Sequence, residues 1–152
     1  MNSMKMSLIT LLSMALFVFT ACEDEKAEET PEYGSISGQV TFNGEFPPAD
    51  SGAVRISVNT NWYPTGPPYS YKEIPSSEVI NNIYEFEFKQ VAFGTYKAIA
   101  VDYVAASNTT GAYDIWGVYG GTLQADFMDA SSVVVNIDNP DVNGVDIEVT
   151  IY

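Results

Sequence analysis

The sequence contains no histidine and a single cysteine. Those two shortages remove the Ser-His-Asp and Cys-His catalytic arrangements and every histidine-ligated zinc site, and they forbid an internal disulfide. Basic residues are also scarce: six Lys and Arg stand against twenty Asp and Glu, a formal net charge of −14. Phosphate backbones are held by clustered cations, whereas Lys26, Arg55, Lys72, Lys89 and Lys97 are scattered among acids, so nucleic acid is excluded as a partner. No G-x-x-x-x-G-K phosphate loop occurs. Beyond residue 21 no stretch of ten residues carries the 3.6-residue period of an amphipathic helix.

The amino terminus carries Lys5 and then the apolar run LITLLSMALFVFTA from Leu8 to Ala21. A short basic region followed by about 7 to 15 apolar residues has the form of a secretory signal. The run falls short of the ~20 residues of a membrane span, and no basic stop-transfer cluster follows it. A buried core helix is the alternative. The run ends in Phe19-Thr20-Ala21-Cys22, which resembles the lipobox of bacterial lipoproteins, with Phe19 where leucine is usual. The resemblance implies cleavage before Cys22 and lipidation of that residue, and it accounts for both the position and the solitude of the cysteine. One acyl chain holds only marginally, so stable anchoring needs the additional chains of a lipoprotein amino terminus.

Six carboxylates, Glu23, Asp24, Glu25, Glu28, Glu29 and Glu32, follow before Tyr33. Such a stretch buries too little apolar surface to offset its ordering entropy, and is expected to be a disordered tether spanning at most roughly 36 to 40 Å. An acidic run directly after the lipidated cysteine resembles the surface-export signal of some Gram-negative lipoproteins, and a plain solvated linker is the alternative. Loss of residues 1 to 21 removes Lys5 and no acid, leaving five basic and twenty acidic residues, a mature charge of −15. The expected organisation is a signal peptide at 1–21, the lipidated cysteine and acidic linker at 22–33, and a single domain at 34–152.

Those last 119 residues suffice for one core that buries about 65% of the unfolded surface. Period-two alternation recurs through them. Ile36, Val40 and Phe42 face one way, with Gly38 among them, against Ser35, Ser37, Gln39 and Thr41; Val54, Ile56 and Val58 oppose Arg55, Ser57 and Asn59. Tyr84, Phe86 and Phe88 alternate with Glu85, Glu87 and Lys89. Tyr96 to Val104 is apolar on nearly both faces and reads as a central strand covered on each side. Ile115–Tyr119, Val133–Ile137 and Val145–Ile151 complete about seven strands, punctuated by Gly94, Gly111, Gly120-Gly121 and Asn143-Gly144. The expected fold is all-β, a single antiparallel seven-stranded sandwich of Greek-key type.

ISGQVTF at 36–42, VRISV at 54–58, YEFEFKQVAFGTYKAIAVD at 84–102 and VNGVDIEV at 142–149 together resemble the carboxypeptidase regulatory-like domain, whose topology is that of transthyretin. The G-T-Y-K-A block at 94–98 carries the resemblance most clearly. It implies a seven-stranded sandwich used as an accessory or surface module and brings no catalytic residues with it.

Residue chemistry leaves few other openings. Glu85, Glu87, Asp102, Asp114 and Asp126 are the residue types of a two-carboxylate glycosidase, although Glu85 and Glu87 share a strand face that reads as solvated. Asn139–Gly144 approximates the start of an EF-hand loop, but its twelfth position is Thr150 rather than glutamate, so a turn is the better reading, with a looser acidic calcium site at a loop cluster as the alternative; no metal ligand and no cofactor are assigned. The aromatic loop is the candidate ligand-binding feature: Trp62, Tyr63, Tyr69 and Tyr71 surround Pro64, Gly66, Pro67 and Pro68. Rings on a stiff loop either stack on a sugar or a partner protein, or cap the end of the core. Trp116 and Tyr119 read as core or core-edge residues. The expected function is a non-catalytic, lipid-anchored binding or accessory module at the outer membrane or cell surface, with a protein or glycan partner. The alternatives are a small carbohydrate-active enzyme using loop carboxylates and a purely structural envelope lipoprotein.

Overall fold

The computed structural model describes residues 32–111, 114–121 and 129–151. The signal segment, Cys22, the tether as far as residue 31, and Asp126 lie outside the described residues. Ten strands follow one another: β1 (Tyr33–Asn43), β2 (Gly52–Asn59), β3 (Ser70–Glu73), β4 (Ile83–Ala92), β5 (Gly94–Tyr96), β6 (Ala98–Ala105), β7 (Asp114–Val118), β8 (Val133–Val135), β9 (Asp141–Val142) and β10 (Ile147–Thr150). One turn of 3-10 helix at Ser76–Glu78 interrupts them. The chain is all-β, and no helix among the described residues is long and apolar enough to cross a membrane.

Two four-stranded sheets carry the structure. The first has the order β10-β1-β4, with β9 also paired to β1, and the second has the order β3-β2-β6-β7; β5 and β8 form a small third sheet. The alternation read from the sequence sets which faces meet. Ile36, Val40 and Phe42 of β1, Tyr84, Phe86 and Phe88 of β4, and Ile147 and Val149 of β10 are buried in one cluster with Val54, Ile56 and Val58 of β2 and Ile99 and Val101 of β6. Tyr96, Val133 and Val135 from the small sheet join the same cluster. Side chains two apart on a strand share a face, so each strand delivers a whole apolar row to the core. Trp116 and Tyr119 are partly buried against its edge.

Three features depart from the sequence reading. The Tyr96–Val104 run is not one strand, because the chain changes sheet at Lys97: β5 pairs with β8, while β6 pairs with β2 and β7. A short strand, β3, forms on the outer edge of β2, so Tyr71, the end of the aromatic loop read from the sequence, stands on a strand. The carboxy-terminal strands β9 and β10 run parallel to β1, so the first sheet is mixed rather than wholly antiparallel. The chain leaves β1, crosses to the second sheet and returns before reaching β9, the long excursion that parallel pairing requires.

The first strand is pinned to the returning chain by side chains as well as backbone. Ser35 Oγ donates to Asp141 Oδ1 and Ser37 Oγ to Asn143 Oδ1, both at 2.7 Å, and the Gln39 amide donates to Asp146 Oδ1 at 3.1 Å. Gly38 is required at the centre of this contact, since a Cβ there would collide with the Val145 carbonyl. Asp141 and Asn143, two residues of the EF-hand-like stretch, are thus engaged in holding β1.

Candidate functional site

Antiparallel register decides which side chains meet on the outer face of the second sheet. Arg55, Ser57 and Asn59 on β2 stand opposite Asp102, Ala100 and Ala98 on β6. Arg55 is the single arginine of the chain. Its Nη2 and Nε donate to Asp102 Oδ1 at 2.6 and 2.8 Å. The Asp102 side chain is 5% exposed and that of Arg55 is 26% exposed. Beside the pair, Asn59 Nδ2 donates to Ser57 Oγ at 3.0 Å, and Ser57 Oγ donates to the Ala100 carbonyl at 3.3 Å. The short Ala100 side chain lies on the cavity lining between these polar groups.

Above that floor lies the proline-rich loop. Pro64, Thr65, Gly66, Pro67 and Pro68, with Tyr71, Gly111 and Ile115, enclose a cavity of about 590 Å³ whose floor is Arg55, Ser57, Asn59, Ala100 and Asp102. That volume falls within the roughly 300 to 1,000 Å³ of small-ligand pockets. Tyr71 comes from β3 opposite Ser57, and the Arg55 guanidinium lies 5.5 Å from its ring centroid, a cation–π contact. Comparison with protein-family models, with curated proteins and with solved structures found no match.

Burial pushes the Asp102 carboxyl up from its ordinary range, and the Arg55 hydrogen bond and charge pull against that shift. Ionised Asp102 is therefore held by its partner in a place that disfavours the charge. Among the described residues it is also the one carboxylate on the cavity lining. Glu85 and Glu87 are on the exposed face of β4, away from it. No group of three His, Cys, Asp or Glu among the described residues is placed to share a metal ion.

Of the four aromatic residues singled out from the sequence, Tyr71 alone lies on the cavity wall. It is 54% exposed and sits on a strand rather than in a loop. Trp62 is half-buried with its ring 5.2 Å from that of Tyr63, which is 50% exposed. Tyr69 is tied into the fold: its amide donates to the Val58 carbonyl, its hydroxyl accepts the Ala92 N–H at 3.0 Å, and its ring lies 5.0 Å from Tyr96. Burial, with Tyr69 adding to it, pushes the Tyr96 hydroxyl well above its usual range. Tyr69→Phe is accordingly expected to lower the free energy of unfolding by about 1 kcal/mol, the net worth of one hydrogen bond, while Tyr71→Phe leaves it unchanged. Urea denaturation of the two variants checks this; equal stabilities would remove the capping role of Tyr69.

Sequence reasoning missed Arg55, Ser57 and Asn59, which alternation assigned to solvent, and it named Asp102 only among the candidate carboxylates for hydrolysis, not as the partner of an arginine. The available signal was that lone acid, in AIAVDYV, in a strand read as covered on both faces. A carboxylate so placed calls for a cationic partner, and the domain has one arginine to supply.

Proposed function

We propose that this chain is an exported, lipid-anchored, non-catalytic binding module. Cys22 carries the lipid, residues 23–32 form the acidic tether, and the sandwich presents the Asn61–Tyr71 segment and the cavity beneath it to a protein or glycan partner at the outer membrane or cell surface. The observation that carries this reading is the cavity of about 590 Å³ roofed by a proline-rich loop and walled by an exposed tyrosine. Prolines fix φ, so the wall loses little freedom when a ligand enters. Among the described residues the lining has one carboxylate, and it is hydrogen-bonded to arginine, which favours recognition over two-carboxylate hydrolysis. The kinship with carboxypeptidase regulatory-like domains, and with it a seven-stranded Greek-key core, belongs to the same proposal and rests on the sequence blocks quoted above.

Two measurements test it. Cys22→Ala is expected to abolish lipidation and to release or misprocess the protein, and mass spectrometry of the native amino terminus is expected to find a lipidated Cys22. An unmodified Cys22, or cleavage elsewhere, would remove the anchor. Retention of an envelope protein or glycan by the full chain, lost when 61–68 is replaced by a Gly-Ser link of equal length, supports the binding role; no retained partner of either kind leaves the structural alternative standing.

A further inference from the structure

We propose that the cavity over β2 and β6 holds one neutral saccharide residue, its hydroxyls meeting the polar floor and one ring face lying against Tyr71. This rests on the binding-module reading above and names the ligand class of that site. Three properties of the cavity select the class. Among the described lining residues the charges cancel, because Arg55 and Asp102 are bonded to each other, so the floor offers donors and acceptors without a net charge to attract a phosphate, a uronate or an amine. The surrounding surface repels anions further, at a mature charge of −15 from five basic and twenty acidic residues.

The floor is too polar for an apolar ligand. Such a ligand would take water from Ser57, Asn59 and the ion pair without replacing its hydrogen bonds, a loss that a hydroxyl-bearing ring avoids. Asn59 supplies Nδ2 to Ser57 Oγ, and its carbonyl oxygen has no hydrogen bond among the described residues, which leaves an acceptor for a hydroxyl on the floor. The wall then supplies what the other face of a sugar ring needs. Pyranose rings carry C–H groups on their faces, and the Tyr71 ring, 54% exposed and held near Arg55, is a flat surface for them. Ala100 at the bottom sets the depth: a larger side chain there would occupy the space the ring takes.

The test uses the full chain in detergent, presented to immobilised neutral gluco-, manno-, galacto- and xylo-oligosaccharides and to oligouronates. Binding to at least one neutral series and not to the uronates is expected. Tyr71→Ala is expected to weaken it at least about tenfold, as loss of a central aromatic contact does, and Ala100→Leu to abolish it. Each variant is first required to melt at the wild-type temperature; should Ala100→Leu fold poorly, Tyr71→Ala, an exposed edge-strand change, decides alone. Binding confined to oligouronates, or neutral binding indifferent to Tyr71→Ala, overturns the assignment. Retention of an envelope protein with no saccharide bound overturns it while leaving the binding module intact, and retention of neither overturns both.

Discussion

Replacing Phe86 by alanine is expected to lower the free energy of unfolding by roughly 3 to 5 kcal/mol. The ring is 4% exposed and stands in the middle of β4, between Tyr84 and Phe88 on the core face. Its ring centroid is 5.9 Å from that of Phe88, and its strand partner across the pair is Gly38, which has no side chain to fill the vacated space. Gly38 itself is held against Val145 by the returning chain, so the backbone there has little room to collapse inward. With one cysteine in the chain no internal disulfide shares the load, and a domain of this size has about 5 to 15 kcal/mol in total. Guanidinium denaturation should show the midpoint falling at unchanged slope. Glu85→Ala and Glu87→Ala, on the exposed face of the same strand, should stay within about 0.5 kcal/mol of wild type. A Phe86→Ala loss under about 1 kcal/mol would contradict the core as described.

That contrast between neighbouring positions on β4 was legible in the sequence, because alternation is a local property that each strand displays alone. Tyr84, Phe86, Phe88, Tyr96 and Val149, marked from the pattern as inward, are all buried. One turn signal went unread: Asn81 and Asn82 take φ of 52° and 66° in a two-residue connection closed by paired hydrogen bonds between Ile80 and Ile83. Asparagine tolerates that left-handed region better than other residues with a Cβ, so the pair marks the entry to β4. What could not be read locally depends on partners distant in sequence. The break at Lys97 exists because Val133–Val135 takes β5 into a separate pairing, and β9, two residues long, is too short for alternation to register. The parallel return of β10 is a property of the whole path.

The site failed to appear for the same reason. Arg55 and Asp102 lie 47 positions apart and meet only through the β2–β6 register. Until that register is known, Arg55, Ser57 and Asn59 are indistinguishable from a solvated strand face. Ser57 and Asn59 are in fact buried, although they occupy the polar half of the alternation. Of the four rings marked in the aromatic loop, the structure brings Tyr71 to the cavity lining. Rings that look alike in sequence divide by structure into Tyr69, hydrogen-bonded to the Ala92 backbone, and Tyr71, on the cavity wall.

Arg55→Ala is expected to destabilise the protein by roughly 2 to 3 kcal/mol at pH 7, less than the ~3 to 5 of a fully enclosed pair because the arginine side chain keeps 26% of its exposure. The loss comes from the carboxylate left behind rather than from the guanidinium removed. Asp102 is buried, burial already raises its pKa, and Arg55 supplies the two opposing influences, its hydrogen bond and its charge. Without Arg55 the folded value rises further above the unfolded one, so the folded state binds a proton that the unfolded state releases. A group raised in this way contributes its stability fully below the unfolded value and loses it as pH rises through the folded value. The stability gap between wild type and Arg55→Ala should therefore narrow as the pH is lowered from 7 through the carboxylate range, when Asp102 becomes neutral and no longer needs a cation. Arg55→Lys should recover part of the loss at pH 7, since an ammonium restores charge without the two-point grip of Nε and Nη2 on Oδ1. Thermal melts at a series of pH values, paired with titration of the Asp102 carboxyl carbon by NMR, measure both halves of the argument. A deficit constant across pH, with Asp102 titrating in its ordinary range in the variant, would show that Arg55 acts there by packing alone.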